Sequence, residues 1–211
     1  MAVGVGAAQA ADTITSAPGC CNFTAPEFRS SQGETPQFAV NSSDGAPHNV
    51  TADKKGPDGK PLFKTDTFDS GSKPVKGAEY LSAGRYTFEC TIHVGMTSAL
   101  VVDSSGKAVP RPAVRLTLPS QSLKQVRSSG KLKVSLRAVT AASGVALTAK
   151  ANGKPLGRLT KIGLPKGATR IVSVKLTATG RKALAGRVSA LVTVTSAVPS
   201  GAPKSAKRTL R

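Results

Sequence analysis

The chain has 211 residues, which is long for one small domain and sufficient for two of about 100 residues each. Its 21 Gly and 14 Pro are scattered, and no long periodic repeat is present, so the composition excludes a coiled coil and predicts an all-β fold of short strands joined by turns. The formal net charge of +19 predicts attraction to polyanions, although charge alone does not select nucleic acid, anionic lipid or a cell-wall polymer.

Residues 1–10 are small and apolar, and Ala8-Gln9-Ala10 has the small-x-small pattern that precedes a signal-peptidase cleavage site. We interpret them as the remnant of a signal peptide, although a charged start is missing. We therefore expect an exported protein, periplasmic or at the cell surface. No later segment approaches the ~18 apolar residues that a membrane span requires.

Residues 11–103 contain short runs of strand character. Residues 37–40 lead to a turn, and residues 48–51 begin the next run. Residues 85–90 alternate strictly, which predicts a half-buried strand with Tyr86, Phe88 and Cys90 on its inner face. Residues 99–102 read as a closing strand. Because Trp is absent and only eight residues are Phe or Tyr, we expect cores of Val, Leu, Ala and Ile.

The acidic residues end abruptly. All 11 lie between Asp12 and Asp103, whereas residues 104–211 contain 22 Lys or Arg and no acidic residue. Residues 104–112 are rich in Ser, Gly and Pro, so we expect a linker there and a separate basic domain over residues 113–198.

The basic domain repeats the rhythm of strands and turns. Candidate strands are residues 114–118, 132–139, 145–151, 171–177 and 188–195. Asn152-Gly153 predicts a hairpin turn, and residues 180–184 one helical turn. Five or more strands in so short a segment predict a small immunoglobulin-like sandwich. Residues 199–211 are rich in Pro, Ser, Lys and Arg, and we expect them to form a disordered basic tail.

The chemistry-bearing residues are concentrated in one pattern. Apart from Met1, every His and Met of the chain lies in Pro47-His48-Asn49 or in the run from Cys90 through His93 to Met96. One thiolate and two imidazoles supply three strong donors, and a thioether supplies a weak fourth, which is the ligand set of blue copper. Structural zinc fits less well, because it takes four strong ligands and seldom methionine.

On these residues, segment 12–103 resembles the cupredoxins, the plastocyanin, azurin and amicyanin family of blue copper proteins. The resemblance is carried by Pro47-His48-Asn49-Val50, by Gly84-x-Tyr86-x-Phe88-x-Cys90 and by the Cys-x-x-His-x-x-Met loop, whose spacing is similar to that of amicyanins. It implies a Greek-key β-sandwich with one type 1 copper ion.

By the same resemblance His48, Cys90 and His93 are equatorial ligands and Met96 is the axial one. Asn49 would tie the two ligand-bearing loops together by hydrogen bonds, with Thr91 beside it in that supporting role. His93 would be the solvent-edge exit for the electron, within an apolar patch that includes Ile92 and Val94. Ile92 stands where many relatives have proline.

Cys20 and Cys21 have no role that the resemblance supplies. A vicinal disulfide, free thiols and an intermolecular bridge all remain open for them, while Cys90 is expected to stay unpaired as a copper ligand.

Three functions remain open. The first is one-electron transfer outside the cytoplasm with an unidentified redox partner. The second is copper storage or delivery without a redox partner. The third is surface attachment, in which the basic domain binds an anionic cell-surface polymer; specific nucleic-acid binding is not expected. We expect no enzyme activity, since both histidines are assigned to one mononuclear site without an open position.

Overall fold

The structure of the chain, a computed structural model, describes residues 11–19, 21–41 and 45–211. It divides the chain into two compact units, Met1–Pro110 (unit 1) and Arg111–Arg211 (unit 2), at a point inside the expected linker. The expected signal remnant, residues 1–10, lies outside the described residues. Among the residues that are described, no helix is long and apolar enough to cross a membrane. That each unit folds on its own stays a prediction, which separate expression of residues 1–110 and 111–211 would test.

Unit 1 consists of two small sheets. Its strands are β1 (Ile14–Thr15), β2 (Glu27–Ser31), β3 (Gln37–Val40), β4 (Thr51–Ala52), β5 (Gly71–Pro74), β6 (Gly84–Glu89) and β7 (Thr97–Asp103). One sheet has the order β1-β3-β5 and the other the order β2-β7-β6-β4. The pairs β1–β3 and β2–β7 are parallel and the remaining pairs antiparallel, so the chain crosses between the sheets as a Greek-key sandwich requires.

The core of unit 1 is built around Phe88. Its ring lies 4.9 Å from that of Phe23, 6.1 Å from Phe63 and 6.4 Å from Phe28, measured between centroids. All six Phe of the chain are buried in this one core. The expectation that the cores rely on Val, Leu, Ala and Ile is therefore wrong for unit 1, because the few aromatic residues of the chain are concentrated in it. The pairs of Phe88 with Phe23 and Phe63 are edge-to-face, and pairs of this kind add about 0.5–1.5 kcal/mol each beyond simple burial.

Strand β6 has the predicted alternation. Phe88 is completely buried and Cys90, two residues later, is 2% exposed, so both side chains enter the same core. The opposite positions Arg85, Thr87 and Glu89 are exposed. The aromatic core thereby sets the direction of the Cys90 thiol.

Unit 2 is a second two-layer β structure. Its strands are β8 (Val114–Thr117), β9 (Lys131–Ala138), β10 (Ala142–Ala151), β11 (Lys154–Leu164), β12 (Thr169–Lys175), β13 (Ala190–Val198) and β14 (Gly201–Leu210). The sheets have the orders β12-β9-β8 and β11-β10-β13-β14, and all their pairs are antiparallel. One core of aliphatic residues joins them. The immunoglobulin-like designation of this sandwich stays a prediction.

Local signals in unit 2 explain several of its elements. Asn152 and Gly153 both have positive φ and join β10 to β11, which confirms the hairpin turn. Helix α2 (Ala178–Leu184) contains the expected helical turn. Helix α1 (Leu123–Ser129) was not predicted, although Ser122 and Gln125 form a complete capping box at its start.

The expectation of a disordered tail over residues 199–211 is wrong. Gly201–Leu210 is strand β14, which pairs with β13 from Ala190↔Leu210 to Val198↔Gly201. Only Gly201 and Leu210 of this strand are buried. An edge strand held by main-chain hydrogen bonds needs no apolar alternation, and Pro and Lys are the residues that protect such edges from further pairing. The composition that suggests disorder is therefore also that of a protected edge.

Leu210→Ala tests this correction. Because Leu210 is 1% exposed in the core of unit 2, we expect the substitution to lower the free energy of unfolding by about 2–4 kcal/mol, measured by chemical denaturation. Thr209→Ala, at the exposed neighbouring position, is the control and should cost less than about 1 kcal/mol. Equal and negligible effects of the two substitutions would show that the segment is disordered after all.

Candidate metal centre

The predicted site residues come from two segments of unit 1. His48 lies before β4 in an isolated bridge with Phe68, where each backbone N–H donates to the other residue's carbonyl at 2.8 and 3.1 Å. Cys90 follows the last residue of β6, and His93 and Met96 lie in the connection to β7. His48 and Met96 have no exposed surface, whereas His93 is half-buried.

The connection between β6 and β7 is closed by its own main chain. The Cys90 N–H donates to the Met96 carbonyl at 3.0 Å, and the Met96 N–H donates to the His93 carbonyl at 3.2 Å. Gly95 turns the chain with φ of +83°, a conformation that glycine adopts without strain. The Cys-x-x-His-x-x-Met spacing thus forms a tight loop that returns Met96 to the main chain of Cys90.

The loop brings three strong donor atoms together. The Cys90 Sγ lies 4.0 Å from the His48 Nδ1 and 3.6 Å from the His93 Nδ1. All three donor atoms lie within 4.8 Å of one another, and the two imidazole rings are 4.6 Å apart between centroids. Both imidazoles therefore present the same ring nitrogen to the thiol.

These distances fit a shared metal ion. For bonds of about 2.3 Å to sulfur and about 2.0 Å to nitrogen, the values known for zinc, donors at a trigonal angle lie about 3.7 Å apart. The observed separations of 3.6 and 4.0 Å fall on either side of that value. Met96 is buried in the same core as Cys90. Apart from Met1 it is the only methionine of the sequence, and it lies three residues after His93. Its weak donor distinguishes this set from structural zinc.

Asn49 connects the two segments that carry the donors. Its Nδ2 donates to the Thr91 Oγ1 at 2.8 Å, and its Oδ1 accepts from the Thr91 backbone N–H at 3.1 Å. The same carboxamide donates to the Thr67 Oγ1 at 3.1 Å and accepts from the Thr51 Oγ1 at 3.2 Å. Asn49 and Thr91 are therefore paired through two hydrogen bonds directly beside His48 and Cys90.

The segment opposite His48 was not recognised from the sequence. Thr65 accepts a hydrogen bond from the Val50 N–H at 3.0 Å, and Thr67 and Phe68 contact Asn49 and His48 as described above. The only signal was the spacing of Thr65 and Thr67 two residues apart, and nothing in it indicates a metal site. The spacing of residues in the sequence therefore identifies candidate metal ligands more readily than the polar residues that hold the ligand segments in place by hydrogen bonds.

The surroundings of His93 differ from those of His48. Ile92 is 48% exposed, and Val94, on the other side of His93, is fully exposed. The half-buried imidazole of His93 is thus flanked by apolar side chains that face solvent, as the cupredoxin resemblance implies.

The cysteines are in different states. Cys90 is a free thiol, as expected, and it is the one free cysteine in the described part of the chain. Cys21 is disulfide-bonded, which rules out a free thiol there. Cys20 lies outside the described residues.

Comparison with known proteins gives structural neighbours only. No protein-family model and no curated protein sequence matches the chain. A reduced mutant of amicyanin has 22% sequence identity and a TM-score of 0.36, covering 47% of this chain and 88% of that one. A purple cupredoxin from Nitrosopumilus maritimus (19% identity, TM-score 0.33) covers 44% of this chain and 100% of that one. Reduced auracyanin from Roseiflexus castenholzii (20% identity, TM-score 0.34) covers 43% and 94% respectively.

Unit 1 combines a defined sheet order with a convergent set of donor atoms. Two sheets with two parallel strand pairs surround an aromatic core, and the thiol at the end of β6 meets two imidazoles and is followed by a methionine. Unit 1 is a two-sheet β-sandwich that is similar to the amicyanin and purple cupredoxin structures named above, and the donor atoms of His48, Cys90 and His93, with the thioether of Met96, fit the ligand set of a type 1 copper site.

Proposed function

We propose that the protein binds one type 1 copper ion through His48, Cys90, His93 and Met96 and transfers single electrons outside the cytoplasm. The observation that carries this proposal is the convergence of the Cys90 Sγ with the Nδ1 atoms of His48 and His93 where the two ligand-bearing segments meet. When bound, copper supplies one-electron redox chemistry at this position. The protein is in this proposal a carrier and not an enzyme.

The residues are suited to both oxidation states of copper. The Cys90 thiolate and the Met96 thioether are soft donors that favour Cu(I), and the two imidazoles serve Cu(II) well. The observed N–S separations already match a trigonal set, so the donors need little movement to enclose an ion. A site with little rearrangement between states is what rapid electron transfer requires.

The surrounding protein restricts movement of these donors. Asn49 holds the His48 and Cys90 segments together, and the main chain of Met96 is bonded to that of Cys90. His48, Cys90 and Met96 are buried, so solvent does not reach them freely. These constraints support a permanent site more than a delivery site, which must release its ion to a partner.

We further propose that electrons pass through the exposed edge of His93. Among the candidate ligands His93 alone is half-buried, and Ile92 and Val94 beside it offer solvent-facing apolar surface. A redox partner, still unidentified, would dock there. Copper storage or delivery shares the same ligands, and slow electron self-exchange of the copper-loaded protein would favour that alternative.

Copper titration with Cys90→Ser tests the ligand set. Cu(II) added to the unmutated protein should give an intense blue or green colour from thiolate-to-copper charge transfer, together with a type 1 EPR signal. Cys90→Ser should lose the colour, because a hydroxyl is not a soft donor. Circular dichroism would establish that the variant is folded. A colourless complex of the unmutated protein would contradict the proposal.

Met96→Leu tests the weak donor. The variant should keep the three strong donors and hence the colour, while its reduction potential rises, because a donor that helps to hold Cu(II) is removed. Leu100→Met, a similar exchange at a buried position of the same core, is the control and should leave the potential unchanged. Complete loss of copper by Met96→Leu would show that Met96 is structural.

Asn49→Ala tests the tie between the ligand segments. We expect copper affinity to fall about 10–100-fold, because both hydrogen bonds to Thr91 are lost and the donors become mobile. Thr67→Ala removes one bond to the same carboxamide and leaves both bonds to Thr91, so its affinity should change much less. Competition with a chelator of known affinity measures both. Equal losses would mean that Asn49 acts only through general stability.

A further inference from the structure

Unit 2 places like charges opposite one another on neighbouring strands. Lys131 of β9 is paired with Lys175 of β12, and Arg137 of β9 with Arg115 of β8. Residues directly opposite in antiparallel strands have Cα atoms about 4.5–5.5 Å apart, and like charges there destabilise the sheet. No acidic residue follows Asp103 in the sequence, so no carboxylate side chain of unit 2 offsets this repulsion. A sheet that retains such pairs is complementary to an external anion.

The paired cations lie on one surface. Because side chains alternate along a strand, the positions of β8, β9 and β12 that alternate with the buried ones form the outer side of their sheet. The cations on it are Arg115, Lys131, Lys133, Arg137 and Lys175. We call these five side chains the basic face. Exposed positions between them carry hydroxyl groups, including Ser173 opposite Lys133.

A groove of about 370 Å³, lined by Lys, Ser and Gln residues, continues the basic face at one end. It is lined by Lys131, Lys133 and Ser173 of the sheet and by Ser120, Ser128 and Ser129 beside them. Two ammonium groups thus stand next to several hydroxyl groups. This combination suits a ligand that carries both negative charge and hydroxyl groups.

The groove arises from unequal strand lengths. The last residue of β8, Thr117, pairs with Ser135 of β9. Residues 131–134 at the start of β9 therefore have no partner in β8. The side chain of Gln121 takes that place: its Oε1 accepts from the Lys133 N–H at 2.9 Å, and its Nε2 donates to the Lys133 carbonyl at 2.8 Å. These two hydrogen bonds fix the position of Gln121, whose side chain forms part of the lining of the groove.

The composition of unit 2 separates classes of polyanion. Residues 104–211 contain no Phe, Tyr or Trp, so no aromatic ring is available on which the bases of a single strand could stack. Ile171 is the large apolar side chain exposed among the cations, and one such residue is too little for membrane insertion. What the face offers is ammonium, guanidinium and hydroxyl groups.

We propose that the basic face and its groove bind a polyol-phosphate polymer of the teichoic type. Each repeat of such a polymer carries one phosphodiester charge and free hydroxyl groups, which match the cations and the serines of the groove. The interaction attaches the protein to the cell envelope. It does not rest on the copper site, and loss of copper binding would leave it unaffected.

The test uses the full chain and purified polyglycerol-phosphate polymer. Lys131→Gln, Lys133→Gln and Lys175→Gln combined should weaken binding at least 10-fold in calorimetry or co-sedimentation. The control combines Lys150→Gln, Lys161→Gln and Lys207→Gln, which remove the same charge from exposed positions of β10, β11 and β14 and should weaken binding less than 3-fold. Thermal unfolding would confirm that both proteins are folded. Equal losses would mean diffuse charge attraction and would overturn the proposal.

The source of the anion is distinguished by comparison ligands at equal charge concentration and equal salt. Inorganic polyphosphate, which has the charge without the polyol, should bind more weakly than the polymer. Ser173→Ala should weaken binding of the polymer alone. Duplex DNA, heparin or anionic phospholipid vesicles that bind more tightly than the polymer would overturn the assignment, as would polyphosphate binding equally well. Raising salt from 50 to 200 mM should reduce affinity about 100-fold if about five cations are engaged.

Discussion

The side-chain amide of Asn49 joins the two chain segments that carry the candidate copper ligands. The segment with His48 continues into β4, whose Thr51 pairs with Glu89 at the end of β6, so the sheet brings the two segments side by side. The paired hydrogen bonds between Asn49 and Thr91 extend this contact past the end of the sheet, to the residues next to His48 and Cys90. Since buried polar groups that form several hydrogen bonds hold a single arrangement, this carboxamide fixes the donor separations more closely than strand pairing alone.

The second constraint is the burial of Phe88. Its ring contacts three other phenylalanines, and the alternation of β6 then directs Cys90 into the same interior. Hydrophobic packing is not directional enough to set a donor distance, but it decides which side of the strand faces the core. Packing thus orients the thiol, and hydrogen bonds set its distance from the imidazoles. The two effects act on different residues of one short stretch.

The candidate site could be predicted from sequence because its donors are rare residues at close spacing. Every His, and every Met except Met1, belongs to it. The strands of unit 1 could be predicted where residues alternate, as in β6, and not where a strand is very short, as in β1. The supporting roles of Thr65 and Thr67 were not predicted, because threonines are common and their spacing in the sequence does not indicate which groups they will hydrogen-bond. In unit 2, β14 was missed because an edge strand is stabilised by its backbone, and backbone pairing leaves little trace in composition.

The two units meet different physical demands within one chain. Unit 1 contains all acidic side chains and all aromatic rings, and its candidate site requires a water-excluding interior. The hydrophobic core of unit 2 contains aliphatic side chains alone. On its surface, cationic side chains that repel each other lie opposite one another on neighbouring strands. If unit 2 binds the proposed polymer and unit 1 exchanges electrons as proposed, attachment would raise the effective concentration of the carrier near any redox partner held at the same surface. Attachment would then act on the frequency of encounters and leave the ligand geometry of the copper site unchanged.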